Sequence, residues 1–430
     1  MRDGDSIMAL SSGSLPAGVA VIRLSGPLVQ DALKTLAGGV PKPRQMALRR
    51  IGAETALDQG LVVFFRAPHS FTGEDCAELH VHGSVAGVKA ILAQLRRRGL
   101  RMAEPGEFTR RAFENGKLDL IAVEGLGDLL NADTEKQRQQ ALARYDGSLS
   151  AAVDRWRDGL LDLRAEIEAR LDFADEGDVS EDLPRSWLGD LADLELDIAT
   201  ALASVDAGRV VREGIRVALA GAPNAGKSSL INALARSDIA IVSDEAGTTR
   251  DVREVPLDIG GQLFILLDLA GLRDTDSRAE AEGIRRAEQA IATADIVLWL
   301  TAPDTAPVDR PHTNGIVVNL ATKADLGAIS DAEMALSTLT GQGLDMLITR
   351  LGALGENLAG GEPALVSHER DRLALLEALE ALAECRGALS DWELAAESLR
   401  RASAALERLI GRLDAERVLD RLFASFCIGK

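Results

Sequence analysis

The sequence predicts a multidomain protein of class α/β plus α: an α+β segment first, then helices, with a P-loop α/β block set between two helical stretches. Three observations carry this. The chain has 430 residues, and at about 150 residues per domain that length predicts three folding units, each able to bury a core. Near residue 118 the pattern changes from β-branched alternation to helical leucine spacing, and a later run alternates apolar strands with helical stretches. An apolar content of 46% excludes a disordered chain.

Acidic side chains number 67 against 48 basic ones, a net charge of −19, which argues against coating nucleic acid through the whole surface. The charge is uneven, because residues 1–117 hold 16 Lys or Arg and 11 Asp or Glu, leaving the remainder at −24. The first segment is therefore expected to face anionic partners. Cys76, Cys385 and Cys427 are too few and too far apart for a disulfide framework. With no apolar run of 18 residues and no h-region at the start, the expectation is a soluble, cytoplasmic protein without a membrane partner.

In chain order, VAVIRLSG (19–26), DQGLVVFFRAP (58–68) and CAELHVHGS (76–84) read as strands, and PLVQDALKTLA and SVAGVKAILAQLRRRG as helices. Leu160, Leu163, Ile167 and Leu171 share one helical face, and Leu191, Leu194, Ile198 and Leu202 another. The acidic stretch 172–184 between them predicts an antiparallel helical pair joined by a loop. IRVALAG, KSSLINALAR, QLFILLDLAG, AEGIRRAEQAIATA, DIVLWLTAP and GIVVNLATKAD then alternate as strands and helices, the signature of a mostly parallel sheet. From Arg370 to about Phe426 the pattern is helical again, with Leu373, Leu376, Leu379 and Leu382 among many Ala and Glu. Two helical segments need a shared core, so the boundaries expected are 1–117, a discontinuous helical domain over 118–209 and 369–430, and an α/β insertion over 210–368.

Gly221-Ala-Pro-Asn-Ala-Gly226-Lys227-Ser228 matches G-x-x-x-x-G-K-[ST] between a strand and a helix. Backbone N–H groups there close round a β-phosphate, Lys227 spans the β- and γ-phosphates, and Ser228 ligates Mg²⁺. Asn224, Ala225 and Ser229 complete the loop's contacts. Forty-one residues after Lys227, Asp268-Leu269-Ala270-Gly271 closes a strand, placing an acid near Mg²⁺ and a glycine amide near the γ-phosphate. Between them Gly247-Thr248-Thr249-Arg250-Asp251 reads as a switch loop, with Thr249 as the second Mg²⁺ hydroxyl, and Ser243, Asp244, Glu245 and Ala246 just before it are expected to line the GTP site. Thr322-Lys323-Ala324-Asp325 places a carboxylate against the N1 and amine edge of guanine, and Ser337-Thr338-Leu339 supports the base. This order selects GTP over ATP. Thr322 stands where the pattern N-K-x-D has Asn, which predicts a weaker polar contact to base and P-loop, with guanine specificity kept by Lys323 and Asp325. Leu272 occupies the place of a water-orienting glutamine, so another group, among the acids of 273–283, must do that work. His80 and His82 alternate on one strand, but two ligands do not make a metal site.

With GPLVQ after VIRLS, SFTGEDCAELHVHG (70–83), AEPGEFTRRAFENGKLDL (103–120), GAPNAGKSSLINAL, SDEAGTTRD, DLAGLR and a terminal Phe426-Cys-Ile-Gly-Lys430, the chain resembles the MnmE (TrmE) family of tRNA-modification GTPases along essentially its full length. The resemblance implies an N-terminal tetrahydrofolate-binding domain that also forms a homodimer, a discontinuous helical domain, and an inserted Ras-like G domain. It implies action with an FAD-containing MnmG-type partner, in a heterotetramer, to build a carboxymethylaminomethyl-type group at C5 of the wobble uridine of tRNA. A methylene- or formyl-tetrahydrofolate would serve as cofactor, with FAD and NADH on the partner. The resemblance also implies K⁺ beside the phosphates, held by Asn224, Ser243, Glu245 and Thr248, and Glu280 as the water-orienting carboxylate. Arg23, Glu78, Lys117 and Lys430 are implied for folate, and Cys427 is read as a packing residue or folate neighbour. The alternative is a regulatory GTPase switch or ribosome-assembly factor with no role in tRNA modification; the N-terminal segment and the CIGK tail favour modification.

Overall fold

The computed structural model describes residues 4–172, 183–241, 253–268, 285, 287–310, 312–329, 332–361, 364–413, 419, 422, 423, 426 and 429. Contacts divide the chain into two compact units, Met1–Gly127 with Ser150–Asp154 and Ser403–Lys430, and Asp128–Leu149 with Arg155–Ala402.

The first unit contains β1 (Ile7–Leu10), β2 (Ala17–Ser25), α1 (Val29–Leu36), β3 (Ala47–Ile51), β4 (Asp58–Phe65), β5 (Cys76–Gly83), α2 (Val85–Arg97), β6 (Arg101–Met102) and α3 (Glu107–Glu114). Its sheet runs β3-β4-β5-β2-β1-β6, antiparallel except for the β1–β6 pair. Alternation in β2 and β5 buries Ile22, Leu24 and Leu79 against Val29 and Leu33 of α1 and Ile91 and Leu95 of α2. The opposite face is covered by a smaller cluster of Ile7, Ala9, Ala103 and Phe108. The three strands read from sequence are β2, β4 and β5.

Next come α4 (Leu120–Leu130), α5 (Glu135–Tyr145), α6 (Ser148–Asp172), α7 (Trp187–Ala203) and α8 (Val205–Glu213). Leu160, Leu163 and Ile167 are buried in α6, as are Leu191, Leu194 and Ile198 in α7. The Trp187 indole N–H donates to Leu163 O at 3.1 Å and joins the pair.

The α/β block holds β7 (Ile215–Gly221), α9 (Lys227–Ala235), β8 (Arg253–Ile259), β9 (Gln262–Asp268), β10 (Ile296–Thr301), β11 (Ile316–Ala321), β12 (Met334–Ala335) and α10 (Leu344–Ala359). Its sheet order is β12-β11-β10-β7-β9-β8, parallel except for β8. Strands β7 and β10 are apolar on both faces because helices cover both. The stretch AEGIRRAEQAIATA lies partly outside the described residues; 287–293 are helical.

Helices α11 (Glu369–Gly387) and α12 (Trp392–Leu409) follow. Arg386 of α11 pairs with Glu195 of α7, and Arg400 of α12 lies 4.0 Å from Glu168 of α6. Of the four leucines named on α11, Leu382 is buried, Leu376 and Leu379 are half-buried and Leu373 is exposed. Leu373 is 53% exposed, while the buried face is Ala374, Leu375, Ala378, Ala381, Leu382 and Cys385. A strict three-residue spacing advances only ~300° per step and drifts off a 3.6-residue helix, so alanines and a cysteine take the inward positions. Burial pushes the Cys385 thiol up to about 11, consistent with an inert core side chain.

Candidate functional site

Strand β7 delivers the phosphate loop. Gly221 at its end has φ +142°, and a Cβ there would lie 2.2 Å from Leu300 O of β10, so only glycine lets the strand turn away at full pairing distance. Asn224 (φ 63°) and Gly226 (φ 86°) take left-handed conformations, folding the loop back onto α9. No side chain caps the first turn of α9, whose N-terminus is thus directed at the loop's mouth. Lys227 Nζ donates to Gly221 O at 2.9 Å and Ala222 O at 2.7 Å, which lays the ammonium across the loop. Ser228 and Ser229 are exposed beside it, while Asp268, 9% exposed, ends β9. Gly221, Asp268 and Thr322 thus stand at or just beyond the carboxyl ends of parallel strands β7, β9 and β11 of one sheet, where open α/β sheets bind ligands.

The base corner is built from β11 and β12. The Thr322 hydroxyl donates to Ala225 O at 2.7 Å, with Thr301 O at 3.0 Å, and so ties this corner directly to the phosphate loop. The P-loop link expected to weaken with Thr is therefore a short hydrogen bond. Ser337, fully buried, donates to Asp325 Oδ1 at 2.5 Å. Ala324 N–H donates to Leu336 O at 3.1 Å and Leu336 N–H to Ala321 O at 2.8 Å, so the two loops are zipped together. Lys323 Nζ donates to Asp304 Oδ2 at 2.6 Å, and that hydrogen bond holds the Asp304 carboxyl below its usual range. Thr338 is half-buried and Leu339 is 83% exposed. Asp304 was not found from sequence, since nothing marks an acid 19 residues upstream of its lysine.

A second cluster lies in the first unit. Arg23 of β2 and Glu78 of β5 are register partners, with Arg23 Nη2 donating to Glu78 Oε1 at 2.9 Å. The guanidinium stands 5.5 Å from the Phe71 ring and 5.8 Å from that of Phe108, and His80 Nε2 lies 3.2 Å from Glu78 Oε2. A Cβ on Gly73 would lie 3.4 Å from Lys117 Cε, so exposed Lys117 borders the loop that carries Phe71. The aromatic pair escaped notice although both rings lie within the motifs SFTGED and PGEFT, because neither motif identifies which face its phenylalanine takes. At the chain's other end, Ser11 Oγ donates to Gly429 O at 2.9 Å, bringing the tail to the end of β1. Phe423 and Phe426 anchor it, packed edge to face at 5.7 Å.

An ionic network supports this cluster. Arg111 donates to Asp5 Oδ1 (2.6 Å), Glu107 Oε1 (3.0 Å) and Glu74 Oε2 (3.1 Å), while Arg101 donates to both oxygens of Glu107. Burial opposes ionisation of Glu107, but the Arg101, Glu104 N–H and Arg111 hydrogen bonds outweigh it and hold the carboxyl below its usual range. The network fixes the loop bearing Phe71 and the helix bearing Phe108.

His82 Nδ1 lies 2.7 Å from Asp58 Oδ1, and among the described residues no group of three or more His, Cys, Asp or Glu is placed to hold a metal ion. Ser243, Asp244, Glu245, Ala246, Gly247, Thr248, Thr249, Leu269, Ala270, Gly271, Leu272, Glu280, Cys427 and Lys430 lie outside the described residues. Among those described, no helix is long and apolar enough to cross a membrane.

Two family models match: "MnmE helical domain" over residues 120–427 and "GTP-binding protein TrmE N-terminus" over residues 6–117. Among curated proteins, the tRNA modification GTPase MnmE of Azorhizobium caulinodans is 49% identical, with all of both chains covered. That of Rhizobium meliloti is 48% identical over all of both chains. That of Methylorubrum populi is 47% identical over 99% of this chain and 98% of its own.

Proposed function

The chain belongs to the MnmE family of tRNA-modification GTPases, and from that premise we propose how its residues divide the work. It is a GTP hydrolase acting in tRNA modification. The observation that carries the nucleotide part is the Thr322–Ala225 hydrogen bond, which joins phosphate loop and base corner into one continuous cradle.

The residues present fit a guanine nucleotide with Mg²⁺. Left-handed turns at Asn224 and Gly226 open the loop towards an anion, and the uncapped first turn of α9 supplies N–H groups for it. Lys227, laid on two loop carbonyls, is placed to exchange them for β- and γ-phosphate oxygens. Ser228 and Thr249 would hold Mg²⁺ with Asp268 nearby, the ion supplying positive charge to the phosphates, and the amide of Gly271 would meet the γ-phosphate. Asp325, oriented by Ser337, accepts from the N1–H and 2-amino group of guanine. Glu280 orients the attacking water in place of a glutamine. Asn224 would hold K⁺ with Ser243, Glu245 and Thr248, and a monovalent cation bound there would supply positive charge against that developing on the phosphates. Asn224 is exposed and left-handed at the loop's rim, which fits an oxygen donor aimed outward.

In the first unit, Arg23, Glu78, Lys117 and Lys430 receive a tetrahydrofolate derivative. An ion pair whose side chains are 25% and 21% exposed, flanked by two phenyl rings, suits a flat heterocycle, and the nearby lysine suits its carboxylate tail. This rests on the division 1–117, 118–209 with 369–430, and 210–368. The protein acts as a cytoplasmic homodimer with an MnmG-type FAD protein, forming the carboxymethylaminomethyl-type group at C5 of the wobble uridine. GTP turnover measured in K⁺ and in Na⁺ tests the cation assignment: faster turnover in K⁺ is expected, and equal rates overturn it.

A further inference from the structure

Guanine offers N1–H and a 2-amino group as donors and O6 and N7 as acceptors, whereas adenine shares the N7 acceptor but not that donor pair. Reading N7 therefore strengthens binding to either purine, while reading the N1 and 2-amino edge selects guanine. An asparagine carries two amide hydrogens and a carbonyl oxygen, enough to hold the phosphate loop and meet a base at once. A threonine carries one hydroxyl hydrogen.

At position 322 that hydrogen is spent inside the protein. The hydroxyl, in a residue 3% exposed, lies 2.7 Å from Ala225 O and 3.0 Å from Thr301 O, both of which can only accept. What the oxygen could present to a base is lone pairs, and N7 is itself an acceptor. Of the neighbouring donors, the Ala324 N–H is engaged by Leu336 O at 3.1 Å, and the Lys323 ammonium is drawn to Asp304 at 2.6 Å.

We propose that Thr322 makes the nucleotide site blind to purine N7, latching the phosphate loop to the base corner without reading the base, so that the choice of guanine rests on Asp325. Asp325 is prepared for that task, because Ser337 occupies one lone pair of Oδ1 and fixes the carboxylate, while the Ser337 N–H is held by Gln342 O at 2.9 Å. The site thereby gives up affinity for nucleotide without giving up selectivity between purines. This inference rests on the guanine reading above and extends it to the atoms read.

The test is displacement of a fluorescent GDP analogue from the full chain, with Mg²⁺ present, by GTP, 7-deaza-GTP and ATP. GTP and 7-deaza-GTP are expected to compete equally within about twofold, since no hydrogen bond to N7 is lost, and Thr322→Asn should favour GTP over 7-deaza-GTP by about three- to tenfold. A wild-type preference for GTP over 7-deaza-GTP of about tenfold overturns the proposal, and needs no variant to fold. ATP competing as well as GTP is a separate outcome, which overturns the guanine reading itself and this inference with it.

Discussion

Glu107 is one of the few charged side chains buried in the first unit, and the two arginines on it make its ionised form the stable one. Its carboxyl titrates lower in the folded chain than in the unfolded one, where about 4.3 is usual. Its contribution to stability is therefore complete above that value and is lost as pH falls through the lower, folded one. Glu107→Gln should lower stability by about 3 kcal/mol at neutral pH, since Arg101 and Arg111 lose a buried counter-charge. It should also flatten the decline in Tm between about pH 5 and pH 3, as thermal unfolding at several pH values would measure. An unchanged slope would place the acid sensitivity on other carboxylates, Asp5 first.

At the scale of elements, α5 organises the second unit through buried polar groups. Thr134 and Gln137 form a capping box at its start, and the same Gln137 donates to Arg212 O at 2.9 Å. Gln140 donates to Gly208 O at 3.1 Å and Ala364 O at 2.7 Å, so one side chain holds both the segment entering the α/β block and the segment leaving it. Arg144 completes the row with Asp371 at 2.7 Å, both side chains fully buried; burial opposes ionisation of Asp371, and Arg144 reverses that. Arg144→Met should cost about 3 kcal/mol, because it takes the hydrogen-bonded counter-charge from a buried carboxylate and leaves it Arg370, 3.4 Å away, and His368. Urea unfolding would measure this, and the double variant Arg144→Met/Asp371→Leu should recover most of the loss; if the single variant is neutral, the row is not a structural clamp.

The same elements explain what could be read in advance. Strands β7, β9, β10 and β11 are apolar runs between layers of helix, and the motifs at their ends carry their own spacing, so the phosphate and base loops were legible from sequence. Strand β3, Ala47-Leu-Arg-Arg-Ile51, was not, because as an edge strand it exposes Leu48 and carries two arginines. Helix α3 was missed because what it buries includes Glu107 and Arg111, and α5 because its inward residues are Gln137, Gln140 and Arg144. Hydrophobic periodicity does not register a buried face made of paired polar groups. Most of these groups meet partners far off in sequence: Arg111 reaches Asp5, 106 positions away, and Arg144 reaches Asp371, 227 positions away.

At the scale of the whole molecule, an acidic chain with a net basic first segment must meet nucleic acid locally if it meets it at all, and such contact should weaken with salt. Similarity that runs end to end, rather than over the G domain alone, is what separates a tRNA-modification GTPase from a GTPase used only as an assembly switch. The central claim is that this chain's GTP site serves modification of tRNA. Mass spectrometry of wobble uridines in tRNA, from a strain lacking this protein and then supplied with either the wild-type chain or Lys227→Ala, tests it most directly. The C5 group is expected to be lost with the gene, to return with the wild-type chain and to stay absent with Lys227→Ala. Wobble uridines unaltered by the deletion would contradict it.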